Sequence, residues 1–306
     1  MRLTSRFRQL IEAPEILAMP GVHDGLSARI AAEAGFSALT MGGFAATGSL
    51  LGQPDSSQLG LTELADHYAR VVDASGLPVL ADADTGFGNV TNVRRAVQAY
   101  ERAGVAGLFI EDQVFPKRCG HTPGKAIVPV EEMLAKLKAA LDARTDPDLV
   151  IMARTDARAV VDLDAAIERA CLFKEAGADL LFVEAPQTVE EMRRVCRQVG
   201  GHHLANMVEF GHSPELTADE LQEIGFAVMV WPVTSMLAMA HMLRDLYAEI
   251  VRTGTSQGFK ERMVSFDDYT RLVGLPALRE REQSYLEAAE GLSRQAIAHA
   301  QGRKSA

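Results

Sequence analysis

The chain has 306 residues, of which 47% are hydrophobic and 24% charged, and its formal net charge is −10. This length suffices for a sizeable core and for one large α/β domain, and the negative charge argues against nucleic acid and anionic membranes as partners. The first residues contain no apolar signal core, and no segment approaches the ~18 apolar residues of a membrane span, so we expect a cytoplasmic protein.

A unit of amphipathic helix, glycine and short apolar strand recurs along the chain. The glycines at 35, 104, 177 and 225 stand where a helix end needs the left-handed conformation. Eight apolar runs are predicted strands: Ile16–Met19, Phe36–Met41, Pro78–Ala81, Val105–Ile110, Leu149–Ala153, Ala178–Val183, His203–Ala205 and Phe226–Trp231. Alternating strands and helices indicate a parallel sheet, and eight units favour an α/β fold of the (β/α)8 TIM-barrel type. A doubly wound open sheet is the alternative, although no dinucleotide-binding glycine motif follows the first strand.

Candidate site residues follow six of the eight predicted strands, and in five of these sets they have polar side chains. In a barrel the active site lies at these carboxyl ends, whereas a structural protein would carry only one or two such residues. The strand-end residues are Gly42, Gly43 and Phe44, then Asp82 and Asp84, Glu111, Arg154, Glu184, and Asn206 with Glu209. We therefore predict an enzyme.

Carboxylates after the third and fourth strands suggest a metal site. Asp82 and Asp84, two apart on an extended chain, would face the same side. With Glu111 and Asp112 on the next strand they would form a hard, oxygen-rich cluster suited to Mg²⁺. The alternative is that these carboxylates cap helices or pair with Arg154.

Two further strand-end residues each have two interpretations. Asp55 lies in a long loop after the second strand, where it either joins the metal site or caps the turn at 56–57. Arg154 is the only cation at a strand end and so the natural partner for a substrate carboxylate. Its alternative role is as counter-ion to the acidic cluster.

The segment after the fourth strand places a cysteine among basic residues. Lys117, Arg118 and His121 surround Cys119, and positive charge favours the thiolate and lowers the pKa of a thiol. Such a cysteine can donate or accept a proton near neutral pH; the alternative is a basic surface loop with an incidental cysteine. The two other cysteines lie in helical patterns and predict neither a disulfide framework nor a zinc site.

The last part of the chain changes character. From about Leu275 apolar residues recur at helical spacing among charges, beyond the eighth unit. We therefore divide the chain into a barrel domain, 1–274, and a helical extension, 275–306. The apolar stripe of this extension must cover either its own barrel or a neighbouring subunit.

These motifs match a known family. The sequences Lys117–His121, Glu111–Gln113 and Asp82–Gly86 resemble the isocitrate lyase/phosphoenolpyruvate mutase superfamily, and within it the methylisocitrate lyase and 2,3-dimethylmalate lyase branch. The resemblance extends from about Arg6 to Gly274, and the Lys-Arg-Cys-Gly-His sequence is specific to the lyases. It implies a homotetramer whose C-terminal helices are exchanged between subunits, and a mobile loop that carries Cys119 over the substrate.

The resemblance also implies roles for the site residues. Asp82 would bind Mg²⁺ (or Mn²⁺) directly, and the waters around the metal would be held by Asp84, Asp55 and Glu111. The substrate would be bound by Gly42, Gly43, Phe44, Gly120, Arg154, Glu184 and Asn206, and the catalytic set would comprise Cys119, Lys117, His121, Glu111 and Glu184. The family often has Ser or Thr where Gly42 stands, so one side-chain hydrogen bond is missing here.

The implied activity is that of a carbon–carbon lyase acting on a small-molecule dicarboxylate. A substituted malate such as 2,3-dimethylmalate would be cleaved by retro-aldol chemistry to pyruvate, or another 2-keto acid, and a carboxylic acid. Cys119 would protonate the departing carbon, and Glu184, Glu111 and a hydroxide are candidates for the base. The alternatives are methylisocitrate cleavage to pyruvate and succinate, oxaloacetate hydrolysis or decarboxylation, phosphonopyruvate-type C–P chemistry, and a barrel that only binds a ligand.

Two apolar positions favour a dicarboxylate over methylisocitrate. In methylisocitrate lyases two arginines near the end of the barrel serve the substrate, and the matching positions here are Leu237 and Phe266. A third carboxylate would then stay unpaired, which is costly in a buried site. If the alignment slips, Arg244, Arg262 or Arg271 could supply the cation instead.

Overall fold

The computed structural model describes residues 1–120 and 124–302. Its strands are β1 (Leu17–Pro20), β2 (Leu39–Met41), β3 (Val79–Asp82), β4 (Gly107–Glu111), β5 (Val150–Thr155), β6 (Leu180–Val183), β7 (Leu204–Asn206) and β8 (Val228–Trp231). Its helices are α1 (Leu3–Ile11), α2 (Gly25–Glu33), α3 (Gly43–Leu51), α4 (Leu61–Ser75), α5 (Val90–Arg102), α6 (Val130–Ala143), α7 (Ala157–Val160), α8 (Leu163–Glu175), α9 (Val189–Val199), α10 (Ala218–Ile224), α11 (Thr234–Thr253), α12 (Phe266–Leu272) and α13 (Leu275–Gly302), with a 3₁₀ helix at Gln257–Arg262.

The strands are parallel and close into a barrel. Strands β2 to β6 pair in chain order, and β8 pairs with both β1 and β7. Single parallel bridges, Gly21 with Thr40 and Leu181 with His203, join the two sheets at both seams. The predicted (β/α)8 TIM-type barrel is therefore confirmed, and the open-sheet alternative is wrong.

The helix boundaries follow local chemistry. Asp24, Thr188 and Thr217 each accept a hydrogen bond from a backbone N–H of the first helical turn that follows, which satisfies a donor that the helix itself cannot pair. The four glycines predicted to end helices, at 35, 104, 177 and 225, all have positive φ. These stops return the chain to the amino end of the next strand.

The observed strands begin later in the chain than the predicted ones, and several of them extend into the site residues. Each begins one to three residues later than its apolar run, because the run includes the residues that lead from the preceding helix into the strand. Asp82, Glu111 and Asn206 consequently end strands, and Arg154 lies inside β5. The long loop expected after the second strand is also wrong, since α3 begins directly after Gly42.

Alternation along the strands produces two apolar layers. The inner layer fills the barrel and includes Leu80, Phe109 and Met152, while the other strand faces pack against the helices. Helix α1 closes the amino end with Phe7, which is fully buried. A Cβ added to Gly107 would lie 3.0 Å from the Phe7 ring, so the absence of a side chain at Gly107 leaves space for Phe7. Helix α1 is therefore called the plug of the barrel.

The chain contains two compact units, Met1–Leu243 and Arg244–Ala306. The first holds the strands, and the second holds α12 and α13. The predicted division after Gly274 coincides with the start of α13, and as a domain boundary it stays a prediction, as does exchange of this helix between subunits. None of the helices in the described part of the chain has the length and apolar character needed to cross a bilayer.

Replacing Phe7 with alanine should lower the free energy of unfolding by about 3–5 kcal/mol, because a fully buried ring is lost and a cavity remains. Urea denaturation followed by circular dichroism measures this change. The matched control is Phe210→Ala, whose side chain is 96% exposed and whose removal should change stability by less than about 0.5 kcal/mol. Equal effects of the two changes would show that α1 does not seal the barrel.

Candidate active site

A cavity of about 350 Å³ opens at the carboxyl ends of the strands. Most predicted site residues line it: Gly42, Gly43, Phe44, Asp55, Asp82, Lys117, Cys119, Gly120, Arg154, Glu184 and Asn206. Asp84 and Glu111 are buried but do not belong to its wall. His121 lies outside the described residues. The structure thus brings the predicted residues together, and their individual roles stay predictions.

The start of α3 lies against the acidic cluster. The backbone N–H of Gly43 donates to Asp82 Oδ2 at 2.8 Å. A Cβ at Gly43 would lie 3.1 Å from oxygens of both Asp55 and Asp82, so a side chain here would require these carboxylates to shift by a few tenths of an ångström. At Gly42, by contrast, a Cβ would meet nothing within 4 Å, so there is room for the serine or threonine side chain that this chain lacks.

The ammonium of Lys117 lies among three carboxylates. Its Nζ is 2.7 Å from Asp55 Oδ2, 3.8 Å from Asp82 Oδ2 and 3.9 Å from Asp84 Oδ1. The backbone of Asp82 is also fixed, because the hydroxyls of Tyr68 and Tyr100 both donate hydrogen bonds to its carbonyl. Lys117, which the sequence offered mainly as a neighbour of Cys119, is therefore the central cation of this cluster.

Burial dominates the electrostatics of the cluster. It raises the pKa of Asp84 to about 6, although the Lys117 ammonium opposes the shift. Burial likewise raises the pKa of Glu111 well above its usual value, against the opposing charge of Arg154. Burial alone would lower the pKa of Lys117, but the surrounding carboxylates raise it well above its ordinary range. Lys117 is thus charged. At Asp84 and Glu111 the nearby positive charge does not offset the effect of burial.

The donor set fits a hard divalent cation. Asp84 Oδ1 and both carboxylate oxygens of Glu111 are buried and have no hydrogen-bond partner among the described residues. Mg²⁺ prefers such oxygens and needs only one or two carboxylates, with waters completing its octahedron. As the side chains stand, no group of three or more His, Cys, Asp or Glu residues in the described part of the chain is arranged to hold a metal ion.

Two details of the predicted cluster are wrong. Asp112 does not join it, because successive strand residues point to opposite sides. Its carboxylate instead accepts hydrogen bonds from Thr155 Oγ1 at 2.7 Å, from the Asp156 N–H at 2.9 Å and from Arg169 Nη1 at 3.0 Å. Asp84 is not on an extended chain either, since its φ is +55°, and its N–H donates to Asp82 Oδ1.

Of the two roles that the sequence left open, the structure shows Arg154 as a counter-ion, and its role toward a substrate carboxylate stays a prediction. Its Nε and Nη2 donate to the two carboxylate oxygens of Asp156 at 2.9 and 3.1 Å. Its Nη2 also lies 3.2 Å from Glu184 Oε2, and the guanidinium lies over the Phe182 ring at 5.1 Å. It is therefore a counter-ion held in fixed orientation, and it still forms part of the cavity wall.

The backbone around Cys119 is fixed by side chains from other parts of the chain. The amide of Gln113 donates to the Arg118 carbonyl and accepts from the Arg118 N–H, at 2.9 and 3.1 Å. The Lys117 N–H donates to Ser57 Oγ at 3.0 Å. Gly120 lies so close to Arg154 that an added Cβ would be 2.4 Å from Nη2. Residues 117–120, called the Cys119 segment below, thus lie directly against the carboxyl ends of the strands.

Sequence reasoning gave no site role to Gln113, Lys125 or Asp156. Gln113 bonds to Arg118 and Lys125 bonds to Gly120, each five residues away in an irregular segment. Asp156 bonds to Arg154, two residues away, and to Lys125, 31 residues away. Neither helical nor strand periodicity could signal such contacts. One available signal was the spacing of two residues between Arg154, inside β5, and Asp156, which directly follows the end of that strand.

Comparison with known proteins gives consistent matches. The sequence profile of the phosphoenolpyruvate phosphomutase family matches residues 7–251. The chain is 43% identical to 2,3-dimethylmalate lyase of Eubacterium barkeri, over 93% of this chain and 99% of that protein. It is 46% identical to 2-methylisocitrate lyase of Halalkalibacterium halodurans, over 88% of this chain and 92% of that protein.

Solved structures agree with the sequence matches. A crystal structure of 2,3-dimethylmalate lyase, a member of the PEP mutase/isocitrate lyase superfamily, has a TM-score of 0.88 and 33% identity, with 93% of this chain and 96% of that chain covered. Oxaloacetate acetylhydrolase with 3,3-difluorooxalacetate has a TM-score of 0.87 and 33% identity, with 93% and 98% covered. Phosphonopyruvate hydrolase with oxalate and Mg²⁺ has a TM-score of 0.84 and 27% identity, with 94% and 100% covered.

Replacing Asp84 with asparagine should stabilise the protein in the presence of a chelator, by about 3 kcal/mol for a two-unit pKa difference. The folded-state pKa of about 6 exceeds the ordinary value of 3.8, so ionisation of Asp84 opposes folding above pH 6. The advantage of the variant should shrink as the pH falls from 6 toward 3.8, because wild-type Asp84 is then protonated in the folded state.

Urea denaturation across this pH range measures the effect. Asp142→Asn is the matched control, since Asp142 is a half-exposed carboxylate paired with Lys138 on a helix surface, and its effect should be small at every pH. A destabilising effect of Asp84→Asn above pH 6 in chelator would show that Lys117 fully compensates the carboxylate.

Proposed function

The chain belongs to the PEP mutase/isocitrate lyase superfamily, and we propose that it cleaves a 2,3-dimethylmalate-type 2-hydroxy dicarboxylate to a 2-keto acid and a carboxylic acid. Both the superfamily and the class of carbon–carbon lyase predicted from the sequence are confirmed by the relatives. The observation that supports this reaction is one cavity whose wall contains Cys119, Glu184 and Arg154 beside the buried carboxylates.

The reaction requires a base at one carbon and an acid at the next. Removal of the 2-hydroxyl proton forms the C2 carbonyl as the C2–C3 bond breaks, and the bonding electrons are delocalised into the carboxyl group on C3. A proton donor then completes C3. Cys119 is the proposed donor, because its thiol belongs to a segment seated against Arg154 and Glu184 and lines the cavity.

Glu184 is the better placed of the two carboxylate candidates for the base. It lies in the cavity wall, where Arg154 and the amide of Asn206 orient it at 3.2 and 3.4 Å. Glu111, in contrast, is fully buried and outside the wall. A base must reach the hydroxyl proton directly or through one water, which favours Glu184.

The cation proposed for the site is Mg²⁺, with Mn²⁺ as the alternative. Asp82 would hold it directly, and Asp55, Asp84 and Glu111 would hold its waters. When bound, it would supply positive charge that stabilises the oxygens of the departing keto-acid half. Lys117 and the N–H groups at the start of α3 contribute positive charge of their own at the same edge of the cavity.

The methylisocitrate alternative is supported by relatives of similar identity. We favour a dicarboxylate because Leu237 is one of the apolar residues of the cavity wall, with Val208 and Val233. An alkyl substituent suits such a surface, whereas a third carboxylate there would be unpaired. The oxaloacetate and C–P alternatives are less favoured, because protonation of a carbanion by Cys119 is the task of a lyase.

The proposal includes a homotetramer and a cytoplasmic location. The extended α13 supports assembly, since its apolar residues Leu286, Leu292 and Ile297 are 61%, 69% and 54% exposed. Such a surface is expected to be covered in a stable assembly. The location follows from the sequence-based expectation alone.

Replacing Cys119 with serine should lower kcat about 10²–10⁴-fold, the contribution of one acid–base group, and should leave Mg²⁺ affinity unchanged. Keto-acid release coupled to a dehydrogenase measures the rate. Cys171→Ser is the matched control, because Cys171 lies on α8 and is not a cavity residue, and it should retain wild-type turnover. Near wild-type turnover of Cys119→Ser would exclude the thiol as the acid.

The substrate preference is tested by comparing kcat/KM on (2R,3S)-2,3-dimethylmalate and on methylisocitrate. We expect the dicarboxylate to be favoured at least tenfold, about 1.4 kcal/mol in transition-state binding, and Leu237→Arg to shift the ratio toward methylisocitrate. Leu237→Met, which keeps an apolar side chain of similar volume, should leave the ratio unchanged. A tenfold preference of the wild type for methylisocitrate would overturn the dicarboxylate assignment.

A further inference from the structure

Lys125 makes two contacts that the proposed chemistry does not use. Its Nζ donates to the carbonyl of Gly120 at 2.5 Å and to Asp156 Oδ1 at 2.7 Å. The Lys125 side chain is only 4% exposed and that of Asp156 is fully buried. The Lys125 ammonium therefore connects Gly120, the residue after Cys119, to the buried carboxylate of Asp156.

The same carboxylate orients Arg154. The two Asp156 oxygens accept the bidentate pair of hydrogen bonds from Arg154 Nε and Nη2, the most directional form of this ion pair. Burial by itself would raise the pKa of Asp156, but Arg154 and Lys125 lower it to about 2. Asp156 is consequently an anion that holds two cations at once.

Asp156 is in turn fixed through Asp112. The Asp156 N–H and the hydroxyl of Thr155 donate to the Asp112 carboxylate, which Arg169 also binds. Arg169 has its second bond to the carbonyl of Val128, at 2.9 Å. One continuous set of charged hydrogen bonds therefore connects the end of β5 with Lys125 and Val128, which follow the Cys119 segment in the chain.

We propose that Lys125 and Asp156 are positioning residues that fix the Cys119 segment relative to Arg154. The inference rests on the proposed function, in which Cys119 is the acid and Arg154 the partner of a substrate carboxylate. The acid and the carboxylate partner act on one small substrate, so their separation must be set closely. A misplacement of about 1 Å can reduce a rate about 10²-fold, and a shared anchor prevents it.

The geometry favours such a role over simple stabilisation. Gly120 touches Arg154 so closely that no side chain fits between them, so small displacements of the segment change the site directly. Lys136 offers a contrast: it is also buried, but its partner is the half-exposed Glu132 one turn away on α6. Loss of that ammonium removes a similar charge without touching the cavity.

The kinetic test compares Lys125→Met with Lys136→Met. We expect Lys125→Met to lower kcat about 10²-fold with KM changed less than about threefold, because Asp156 still orients Arg154. Asp156→Asn should instead raise KM, since Arg154 loses its bidentate partner. Lys125→Arg can still donate hydrogen bonds to the Gly120 carbonyl and to Asp156 Oδ1, so this variant should have a higher kcat than Lys125→Met. In the double variant the two effects should combine to less than their product, as for residues that share contacts.

A second readout does not depend on turnover. The N–H groups of Lys117 and Arg118 are hydrogen-bonded to Ser57 and Gln113, so their hydrogen exchange reports how firmly the segment is seated. Lys125→Met should accelerate exchange at both amides at least tenfold, while Lys136→Met leaves it unchanged and exchange within β5 is the same in both variants.

The outcomes separate the two hypotheses. If the wild type releases no keto acid from any tested hydroxy acid, the proposed function fails, and faster exchange in Lys125→Met alone still supports the anchor. If the wild type turns over but Lys125→Met matches Lys136→Met in kcat and in exchange, the positioning role is overturned. Equal loss of kcat in both variants with unchanged exchange would also overturn it.

Discussion

Unbalanced negative charge at the carboxyl end of the barrel is the constraint on which the site depends. Among the described residues, six carboxylates lie within 4 Å of the buried cations Lys117, Lys125 and Arg154: those of Asp55, Asp82, Asp84, Glu111, Asp156 and Glu184. Isolated buried charge is expensive, so each ion must be paired, protonated or matched by a bound cation. Oxygens of Asp84 and Glu111 have no hydrogen-bond partner among the described residues, and burial raises the pKa values of both carboxylates. A divalent cation would supply the missing charge at these two residues.

The fold makes this concentration of charge tolerable. Apolar residues inside the barrel and between the strands and helices form its core, and the residues that end the parallel strands meet at one edge. Backbone groups supplement the cations there: the Gly43 N–H reaches Asp82, and two buried tyrosines fix the Asp82 carbonyl. Glycines at 43 and 120 allow the chain to approach the charged groups without a side chain in between.

Much of this arrangement could be predicted from the sequence, because burial imposes periodicity and strand order imposes position. The eight apolar runs and the polar residues that end them were sufficient for the barrel and for most of the cavity wall. Asp112 was misplaced because adjacency in sequence was taken as adjacency in space, although neighbouring strand residues point to opposite sides. The contacts of Gln113 and Lys125 were missed because they depend on an irregular segment and on partners brought together only by folding.

The number of cations in the cavity limits how many substrate carboxylates this site can pair. Relatives with different substrates share similar identity with this chain, so overall similarity does not decide between them. Among the described residues, the cations in the cavity wall are Lys117 and Arg154, and each already has carboxylate partners. With the start of α3 and a bound divalent cation, this set can hold the two carboxylates of a substituted malate. The cavity wall also contains the apolar residues Val208, Val233 and Leu237. A third carboxylate against these residues would be buried against hydrocarbon, whereas a methyl substituent would gain from the same contact.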